Sequence, residues 1–492
     1  MSKSQKNKPS GEGTISRKHF LKQLGMAGAA FSIVPSYVLG GPNHTAPSDT
    51  LYIAAIGAGG KGTSNLASFV QHPAAKISHL CDVDDRRAQT SRERFIDAPY
   101  FKDYRKMLEK EHKNFDAVCV STPDHMHAIQ AMAAMELGKH VYVEKPLTHD
   151  IYEARMLTEA AEKYKVVTQM GNQGASGDGV RRMQEWYNAG LLGEIHTVHV
   201  WTNRPVWPQG IAWPTEKASV PTELDWNLWL GTAPYKDYVD KLVPFNWRGW
   251  WDYGTGALGD MACHLMEAPF SVLGLKYPEK VEASVGAVFV DEFQRGYFPD
   301  SCPPSSHIVL QFPGKNGNPP IKMHWYDGGI QPERPEELGP NEMMGDGGNG
   351  VIMEGTHGKM MCSTYGQNPR LLPTSLTDMV DVPETIERVP NGHYQQWVSG
   401  CLAGYGNMKL SSGFEIAGPL TESILMGNLA IRSYDYQEKY KEEYTADDGS
   451  IQTRERTQYP GRNIQLVWDG PNMRITNFEP ANQFVKREYR DF

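Results

Sequence analysis

Three polar residues of the sequence have the chemistry of proton transfer. Lys145 stands in the triplet Glu144-Lys145-Pro146 directly after an apolar run. Burial and a neighbouring cation would lower its pKa, so that it could exchange a proton with a hydroxyl. Asp260 and His264 are four residues apart, so on a helix they share a face, and the carboxylate would orient the imidazole. Taken alone, each feature is more typical of an ordinary surface ion pair than of a catalytic site.

A phosphate-binding loop is indicated at 51–62, LYIAAIGAGGKG, where an apolar run is followed by the spacing G-x-G-x-x-G. The first glycine permits a tight turn, the second lets the backbone approach a pyrophosphate, and the third allows close helix packing. The N-terminus of the following helix offers free N–H groups to phosphates. The alternative is an ordinary glycine-rich turn. The residues of this predicted dinucleotide loop are Gly57, Gly59, Gly60, Lys61 and Gly62.

The type of dinucleotide depends on the next strand-like run, Lys76–Val83. Its Asp82 lies twenty residues after Gly62, where a carboxylate binds the ribose hydroxyls of NAD and would repel the 2′-phosphate of NADP. Arg86 and Arg87 follow closely and would favour NADP. We predict NAD, with NADP as the less favoured cofactor.

Alternating short strands and amphipathic helices over residues 50–170 would position these groups. The predicted strands are Tyr52–Ile56, Lys76–Cys81, Ala117–Ser121, His140–Val143 and Val166–Met170. The predicted helices are Asp85–Phe95, Tyr104–Lys110, His125–Leu137 and Tyr152–Tyr164. This alternation indicates a doubly wound parallel sheet, which binds ligands at the carboxyl ends of its strands.

Polar residues just after these strands are therefore predicted to face the cofactor. His125 and His127 lie near the expected nicotinamide end. Two histidines without a third ligand make a poor metal site, so we predict cofactor or substrate contact and no metal. The predicted cofactor contacts in this region are Thr122, Asp124, His127, Glu144 and Lys145.

The alternation ends near Gly171, and the chain becomes rich in tryptophan, proline and glycine. Strands are predicted at Ile195–Asn203, Val281–Val290, His307–Phe312, Ile321–Tyr326 and Gly350–Glu354, with helices at Val180–Ala189 and Gly418–Arg432. This pattern favours a second, α+β domain with a mostly antiparallel sheet. Aromatic rings beside polar groups suit a carbohydrate, although we expect most of the tryptophans to pack in the core. The predicted substrate contacts are Lys145, Arg204, Trp247, Tyr253 and His264.

Composition narrows the class of protein. The chain has 492 residues, 40% of them hydrophobic, and a net charge of −9 without a basic tract, which argues against nucleic acid as a partner. The six cysteines form no C-x-x-C pair, so neither a zinc ribbon nor a disulfide scaffold is expected.

The first 48 residues have the form of an export signal. A basic start leads to an apolar stretch, Leu24–Val34, that is too short to cross a membrane. The pattern S-R-x-x-F-L-K resembles a twin-arginine signal, with Arg17-Lys18 in place of two arginines. We predict a periplasmic protein without a membrane span after signal removal. The alternative is a cytoplasmic protein with a disordered leader.

Taken together, these segments resemble the Gfo/Idh/MocA family of NAD(P)-dependent oxidoreductases, and more narrowly its exported, sugar-active members. The matching segments are GAGGKG at 57–62, CDVD at 81–84, STPDHMHA at 121–128, EKP at 144–146, GALGDMACH at 256–264, EGTHGKM at 354–360 and AGPLTESILMGNLAIR at 417–432. The resemblance implies a Rossmann domain and an α/β domain with an open, mainly antiparallel sheet, through which homodimers or homotetramers form. The expected division is a leader at 1–48, a Rossmann domain at 49–171, a substrate and oligomerisation domain at 172–435, and an irregular extension at 436–492.

The resemblance also implies roles for single residues. Lys145 matches the family lysine that assists proton transfer and holds the substrate. Asp260 and His264 match its D-x-x-x-H pair, with the histidine as acid/base, and Asn172 stands where relatives place a residue near the nicotinamide.

Three functions remain open at this point. The first is oxidation of a secondary hydroxyl of a sugar. The second is an NAD-dependent glycoside hydrolase or lyase, in which transient oxidation assists elimination and tightly bound NAD is regenerated in each turnover. The third is a non-enzymatic sugar-binding protein, against which the presence of Gly57, Asp82, Lys145 and His264 argues.

Overall fold

The computed structural model describes residues 50–314 and 318–492. The predicted export signal at 1–48 lies outside these residues. Within them, no helix is both long and apolar enough to cross a membrane.

The N-terminal half is built on a six-stranded sheet in the order β3-β2-β1-β4-β5-β6, with every neighbouring pair parallel. Its strands are β1 (Leu51–Ile56), β2 (Ala75–Cys81), β3 (Tyr100–Phe101), β4 (Ala117–Val120), β5 (His140–Val143) and β6 (Thr168–Met170). Its helices are α1 (Lys61–Phe69), α2 (Asp85–Arg94), α3 (Tyr104–Glu111), α4 (Asp124–Glu136) and α5 (Ile151–Tyr164). The predicted doubly wound fold is confirmed, and the short edge strand β3 is an addition to it.

Two sequence features place these elements. The central strands β1, β4 and β5 are almost continuously apolar and buried, as strands covered by helices on both faces must be. Helices α2, α3 and α5 each begin just after an aspartate, Asp84, Asp103 and Asp150, whose carboxylate accepts a hydrogen bond from a backbone N–H of the first turn. These caps fix where each helix begins after its strand.

The second half carries a nine-stranded mixed sheet in the order β15-β14-β13-β7-β12-β11-β8-β18-β19. Only β7 and β12 pair in parallel among its described strands. The strands of this half are β7 (Ile195–Trp201), β8 (Lys280–Val285), β9 (Phe289–Asp291), β10 (Gln294–Arg295), β11 (Ser306–Phe312), β12 (Ile321–Tyr326), β13 (Gly350–Gly355), β14 (Lys359–Cys362), β15 (Arg370–Leu372), β16 (Glu438–Thr445), β17 (Ile451–Gln458), β18 (Leu466–Asp469) and β19 (Arg474–Ile475). Its helices are α6 (Asp178–Asn188), α7 (Trp226–Leu230), α8 (Gly256–Leu265), α9 (Glu267–Val272), α10 (Gly392–Ala403) and α11 (Phe414–Tyr434). The predicted second α+β domain is confirmed.

The long helix α11 joins the two sheets. It is buried along nearly its whole length and packs on α5, α8 and β8. Arg155 of α5 forms a bidentate ion pair with Glu422 of α11, with an Nη2–Oε1 distance of 2.8 Å. This packing holds α8, which carries Asp260 and His264, against the N-terminal half.

The expectation of an irregular extension over 436–492 is wrong. β16 and β17 form a hairpin, and β18 extends the large sheet beside β8. Both hairpin strands are polar on both faces, so they lack the apolar alternation that predicts a strand. Cross-strand ion pairs such as Lys439–Glu455 support the pairing instead.

The tryptophan-rich stretch packs mostly as expected. An aromatic cluster, which contains Trp226, Trp229, Trp247, Trp250 and Tyr253, lies beside the N-terminal sheet. Its neighbouring residues Glu223–Asp225 hydrogen-bond to the segment Val83–Asp85 after β2. The cluster therefore covers the carboxyl edge of the N-terminal sheet.

Candidate functional site

A cavity of about 590 Å³ runs along the carboxyl edge of the N-terminal sheet. One wall consists of residues that follow β3, β2, β1, β4 and β5 in turn, among them Asp103, Asp82, Gly57, Thr122 and Lys145. Residues of the second half form the opposite wall, among them Trp247, Arg248, Asp260, His264 and Tyr365. The site therefore lies between the two halves, where parallel-sheet folds bind dinucleotides.

The glycine loop is shaped by contacts of its own backbone. Gly57 has a φ of +84°, and a Cβ there would lie 2.6 Å from the Ser121 carbonyl oxygen. A Cβ on Gly62 would overlap the Gly57 carbonyl oxygen. α1 begins at Lys61, so the N–H groups of its first turn lack intrahelical acceptors. The Gly62 N–H donates to the Gly59 carbonyl oxygen at 3.0 Å, and the other N–H groups of this turn can bind phosphate.

Asp82 lies at the end of β2 with both carboxylate oxygens near the loop. Its Oδ2 accepts a hydrogen bond from the Gly59 N–H at 2.8 Å, and its Oδ1 accepts one from the Asp84 N–H at 3.0 Å. Burial raises the pKa of Asp82 to about 6. Each oxygen retains a lone pair for a ribose hydroxyl, so this carboxylate and the loop fit the adenosine half of NAD.

The two arginines after Asp82 have different roles. Arg86 forms an ion pair with Asp84, with an Nη2–Oδ2 distance of 2.6 Å, and is turned to that carboxylate. Arg87 lies against Gly59 and Gly60 and lines the cavity. Only Arg87 of this pair is thus positioned to affect the choice between NAD and NADP.

Lys145 pairs with Asp260 and not with its neighbour Glu144. Its Nζ donates to Asp260 Oδ1 at 2.8 Å and to the Asp260 carbonyl oxygen at 2.7 Å. Burial alone would lower the pKa of Lys145, but the Asp260 carboxylate outweighs burial and raises this pKa above its ordinary value of 10.5. The expectation of a lowered lysine pKa is therefore corrected: Lys145 is a cation at neutral pH.

Asp260 is held by two cations. Besides Lys145, the Nε of Arg248 lies 3.2 Å from Asp260 Oδ1. Burial opposes ionisation, yet the charges of Lys145 and Arg248 lower the pKa of Asp260 to about 2. The prediction that Asp260 orients His264 is corrected, because its carboxylate is directed to the two cations.

His264 lies one helical turn further along α8 and is 7% exposed. Its buried Nδ1 has no hydrogen-bond partner among the described residues. The ring packs edge-to-face on Tyr365, with centroids 4.7 Å apart. Burial, and then the charge of Lys145, lower the pKa of His264 well below 6.5. The imidazole is therefore neutral and can accept a proton.

Other predicted cofactor residues divide into two groups. Thr122, Asp124 and Glu144 line the cavity. His127 is buried beneath it, with Nδ1 2.8 Å from the Pro146 carbonyl oxygen and Nε2 2.7 Å from that of Thr122. It joins the loops after β4 and β5, so the prediction of a direct cofactor contact is corrected to a supporting position.

Three further predicted residues lie outside the cavity lining found among the described residues. Asn172 is buried between Glu267 and Ser412, to which it hydrogen-bonds at 2.9 and 2.5 Å. Tyr253 is fully buried in the aromatic cluster. Arg204 follows β7 and hydrogen-bonds to Asn203. Trp247, by contrast, lines the cavity, and the Arg248 guanidinium lies 4.3 Å from the centre of its ring.

Sequence reasoning missed Arg248, Tyr365 and Phe492, all of which line the cavity. The segment NWRGW at 246–250 contained a signal for Arg248, since a cation between tryptophans beside a predicted site suggests a functional side chain. Tyr365 lies in the short 3-10 helix Thr364–Gly366 and Phe492 in an irregular segment, and neither stands in a motif. No group of three or more metal-binding side chains occurs in the described ranges.

Fold and site together define a dinucleotide-binding protein of the oxidoreductase type. Residues 51–172 match the model of an oxidoreductase family's NAD-binding Rossmann fold, and residues 179–291 match that of the family's C-terminal alpha/beta domain. The chain belongs to the Gfo/Idh/MocA family, and NAD is its cofactor.

The curated relatives are glycosidases by name. A glycosyl hydrolase family 109 protein of Shewanella pealeana is 26% identical over 204 residues, which are 37% of this chain and 44% of that protein. An alpha-N-acetylgalactosaminidase of Shewanella oneidensis is 26% identical over 205 residues, with the same two shares. The chain thus spans less than half the length of these relatives.

Among solved structures, this chain is similar to a WlbA dehydrogenase from Bordetella pertussis in complex with NADH and UDP-GlcNAcA. The TM-score is 0.53 at 17% identity, and the match covers 78% of this chain and 97% of that one. At this identity the likeness concerns the fold alone.

Proposed function

We propose that the protein oxidises a secondary hydroxyl of a sugar or sugar derivative, with NAD as hydride acceptor. The observation that supports this most is the pair formed by cationic Lys145 and neutral His264 in the same cavity as the glycine loop. Removal of a hydride from a carbinol carbon requires that the hydroxyl proton be removed as well. These two side chains have the protonation states that this step needs.

NAD bound along the glycine loop and Asp82 would supply the hydride acceptor. His264 takes the hydroxyl proton, because its imidazole is uncharged and lines the cavity beside Asp260 and Tyr365. Lys145 donates a hydrogen bond to the same oxygen and stabilises negative charge as it develops there. Asp260 and Arg248 keep the ammonium group in place. The rings of Trp247 and Tyr365 provide apolar surface for the face of a sugar.

A second candidate is glycoside cleavage assisted by transient oxidation, in which the hydride returns to the sugar. The names of the curated relatives favour it. The predicted export signal favours it as well, because a protein outside the cytoplasm meets little free NAD and would have to regenerate its own. Both candidates begin with the same proton transfer, so Lys145 and His264 serve either one.

One experiment separates the candidates. The purified protein is assayed for bound NAD and then incubated with a panel of sugars and of p-nitrophenyl glycosides. Net formation of NADH supports the oxidoreductase, whereas release of p-nitrophenol without net redox change supports the glycosidase. If neither occurs with NAD bound, and Lys145→Ala leaves sugar binding intact, the enzymatic function is refuted.

A further inference from the structure

Residues 487–492 form a segment that runs from α5 to the cavity. The proposed chemistry gives this segment no role. Arg487 is anchored in the N-terminal half by an ion pair with Glu153 of α5 at 2.8 Å, and its N–H bonds Asp150 at 3.2 Å. The Tyr489 hydroxyl donates to the same Glu153 carboxylate at 2.5 Å. These contacts fix the start of the segment on the helix that follows β5.

The segment then continues along the aromatic cluster. The backbone N–H of Arg490 donates to the Thr232 carbonyl oxygen at 3.0 Å. Its guanidinium donates to the Ala233 carbonyl at 3.0 Å and to the Asn227 side chain at 2.8 Å. Leu228 and Trp229 of α7 line the cavity. The hydrogen bonds of Arg490 therefore connect the segment to this helix and to the residues that follow it.

Phe492 returns to the N-terminal half at the start of α3. The Arg105 guanidinium lies 4.4 Å from the centre of the Phe492 ring and donates to the Phe492 carbonyl oxygen at 2.5 Å. Arg105 is held in turn by Asp103, with an Nη2–Oδ2 distance of 2.8 Å. Phe492 and Asp103 both line the cavity.

The position of Phe492 along the cavity follows from the sheet order. Asp103 follows β3, and Asp82 follows the adjacent strand β2, whereas Lys145 follows β5 at the opposite end. A ribose on Asp82 and phosphates on the glycine loop place the adenine beyond Asp82, away from Lys145. Phe492 therefore lies at the adenosine end and presents an apolar ring there.

We propose that Phe492 is a cofactor-site residue, whose ring, held by Arg105, closes the adenosine end of the cavity and slows the release of NAD. A purine has apolar faces that pack on aromatic rings, and a ring backed by a guanidinium is restricted in its motion. The segment links α5, the residues after α7 and α3, so that NAD release requires displacement of the ring or of the segment. This inference rests on the NAD-binding domain and not on the sugar chemistry.

The test measures NAD release from the full-length protein. Wild type and Phe492→Ala are loaded with NADH, and the fall of bound-NADH fluorescence is followed after addition of excess NAD⁺. We expect NADH release from Phe492→Ala to be about tenfold faster than from the wild type. One buried aromatic contact typically changes affinity by about this factor, and the change should appear in the rate of release. NAD that co-purifies with the variant should fall in parallel. Phe492→Tyr retains the ring and should release NADH at close to the wild-type rate.

Phe484→Ala is the matched control. Phe484 also packs on an arginine of the chain, with the Arg432 guanidinium 4.2 Å from its ring centre, but it is not among the lining residues found in the described ranges. A wild-type release rate in folded Phe492→Ala, or an equal increase in Phe484→Ala, would overturn the proposal. If Phe492→Ala does not fold, Arg105→Gln decides: it frees the ring without removing it, and a release rate equal to wild type would again refute the role. The release of NADH can be measured even if the protein oxidises no sugar. A negative result in this test therefore leaves the proposed function untouched, and a negative result for the proposed function leaves this test valid.

Discussion

The two ends of the cavity are built in different ways. At the phosphate end, the contiguous stretch from β1 to the start of α2 supplies the glycine loop and Asp82, and hydrogen bonds to backbone N–H groups hold them in shape. At the reactive end, side chains from four separate segments meet: Lys145, Arg248, Asp260 with His264, and Tyr365. Charge holds this end, through one carboxylate between two cations. At the phosphate end, we therefore expect NAD binding to be lost when a substitution causes steric overlap or removes a hydrogen-bond acceptor. At the reactive end, we expect turnover to be lost when a substitution changes a charge.

The largest effect is expected from Lys145→Ala. Loss of the ammonium group removes the charge that stabilises the substrate oxygen, so turnover should fall by about 10²- to 10⁴-fold, while the affinity for NAD changes little. Steady-state rates on a substrate that the panel of sugars and glycosides identifies, together with NAD titration, check this. Lys102→Ala is the control, because Lys102 lines the far end of the cavity and pairs with Asp85. Comparable turnover of the two variants would contradict the assigned role.

At the phosphate end, Asp82→Asn should weaken NAD binding by about 10- to 100-fold, since a charge-assisted hydrogen bond contributes roughly 1.5–3 kcal/mol. The preference for NAD over NADP should fall as well, because the repulsion of a 2′-phosphate is lost. Equilibrium titration with both cofactors measures the two effects. Asp97→Asn, which changes an exposed aspartate of the same half, should bind NAD as the wild type does. An unchanged affinity in Asp82→Asn would refute this end of the site.

Gly62→Ala tests the steric part of the comparison. The new methyl group overlaps the Gly57 carbonyl oxygen, so the loop must shift, and the free energy of unfolding should fall by about 1–3 kcal/mol with a loss of bound NAD. Thermal unfolding and NAD content measure the change. In Gly358→Ala, a Cβ would make only an ordinary contact of 3.5 Å with the Leu191 carbonyl oxygen. That variant should unfold at close to the wild-type temperature, and an equal loss in both would show that overlap at Gly62 is not the cause.

The smallest expected effect is that of pH. Because the pKa of His264 is lowered, its imidazole stays able to accept a proton until the pH falls through a value well below 6.5. Because the pKa of Lys145 is raised, its ammonium persists until the pH rises above 10.5. The turnover number should therefore change less than about twofold between pH 7 and pH 9. A decrease in rate centred near pH 6.5 would show instead that His264 titrates as an exposed histidine.

The same contrast explains what the sequence could predict. The strands β1, β2, β4 and β5 and the helices between them were predicted to within one or two residues, because apolar runs and aspartate caps are local signals. The glycine loop and Asp82 belong to the same local pattern. The hairpin β16–β17 was missed, because exposed strands paired by charge carry no apolar alternation.

At the reactive end, the residue types were predicted more successfully than their partners. Lys145 and His264 line the cavity as expected, but the predicted pair Asp260–His264 does not form. The alternative pair Glu144–Lys145 does not form either. Lys145 bonds Asp260, 115 residues away. At this end of the cavity, in contrast to the pairs Arg86–Asp84 and Arg105–Asp103, proximity in the chain is a poor guide to the partner of a charge.

The amino-acid sequence was enough to predict the fold class, the glycine loop, the acidic residue after β2 and the side chains proposed for proton transfer, because each depends on neighbours within a few dozen residues. Only packing in three dimensions shows that Lys145 is charged, that His264 is neutral and that Phe492 lines the cavity beside Asp103. These properties depend on burial and on charges from distant segments. Burial and long-range pairing exist only once α8, the aromatic cluster and the last residues have packed against the N-terminal sheet.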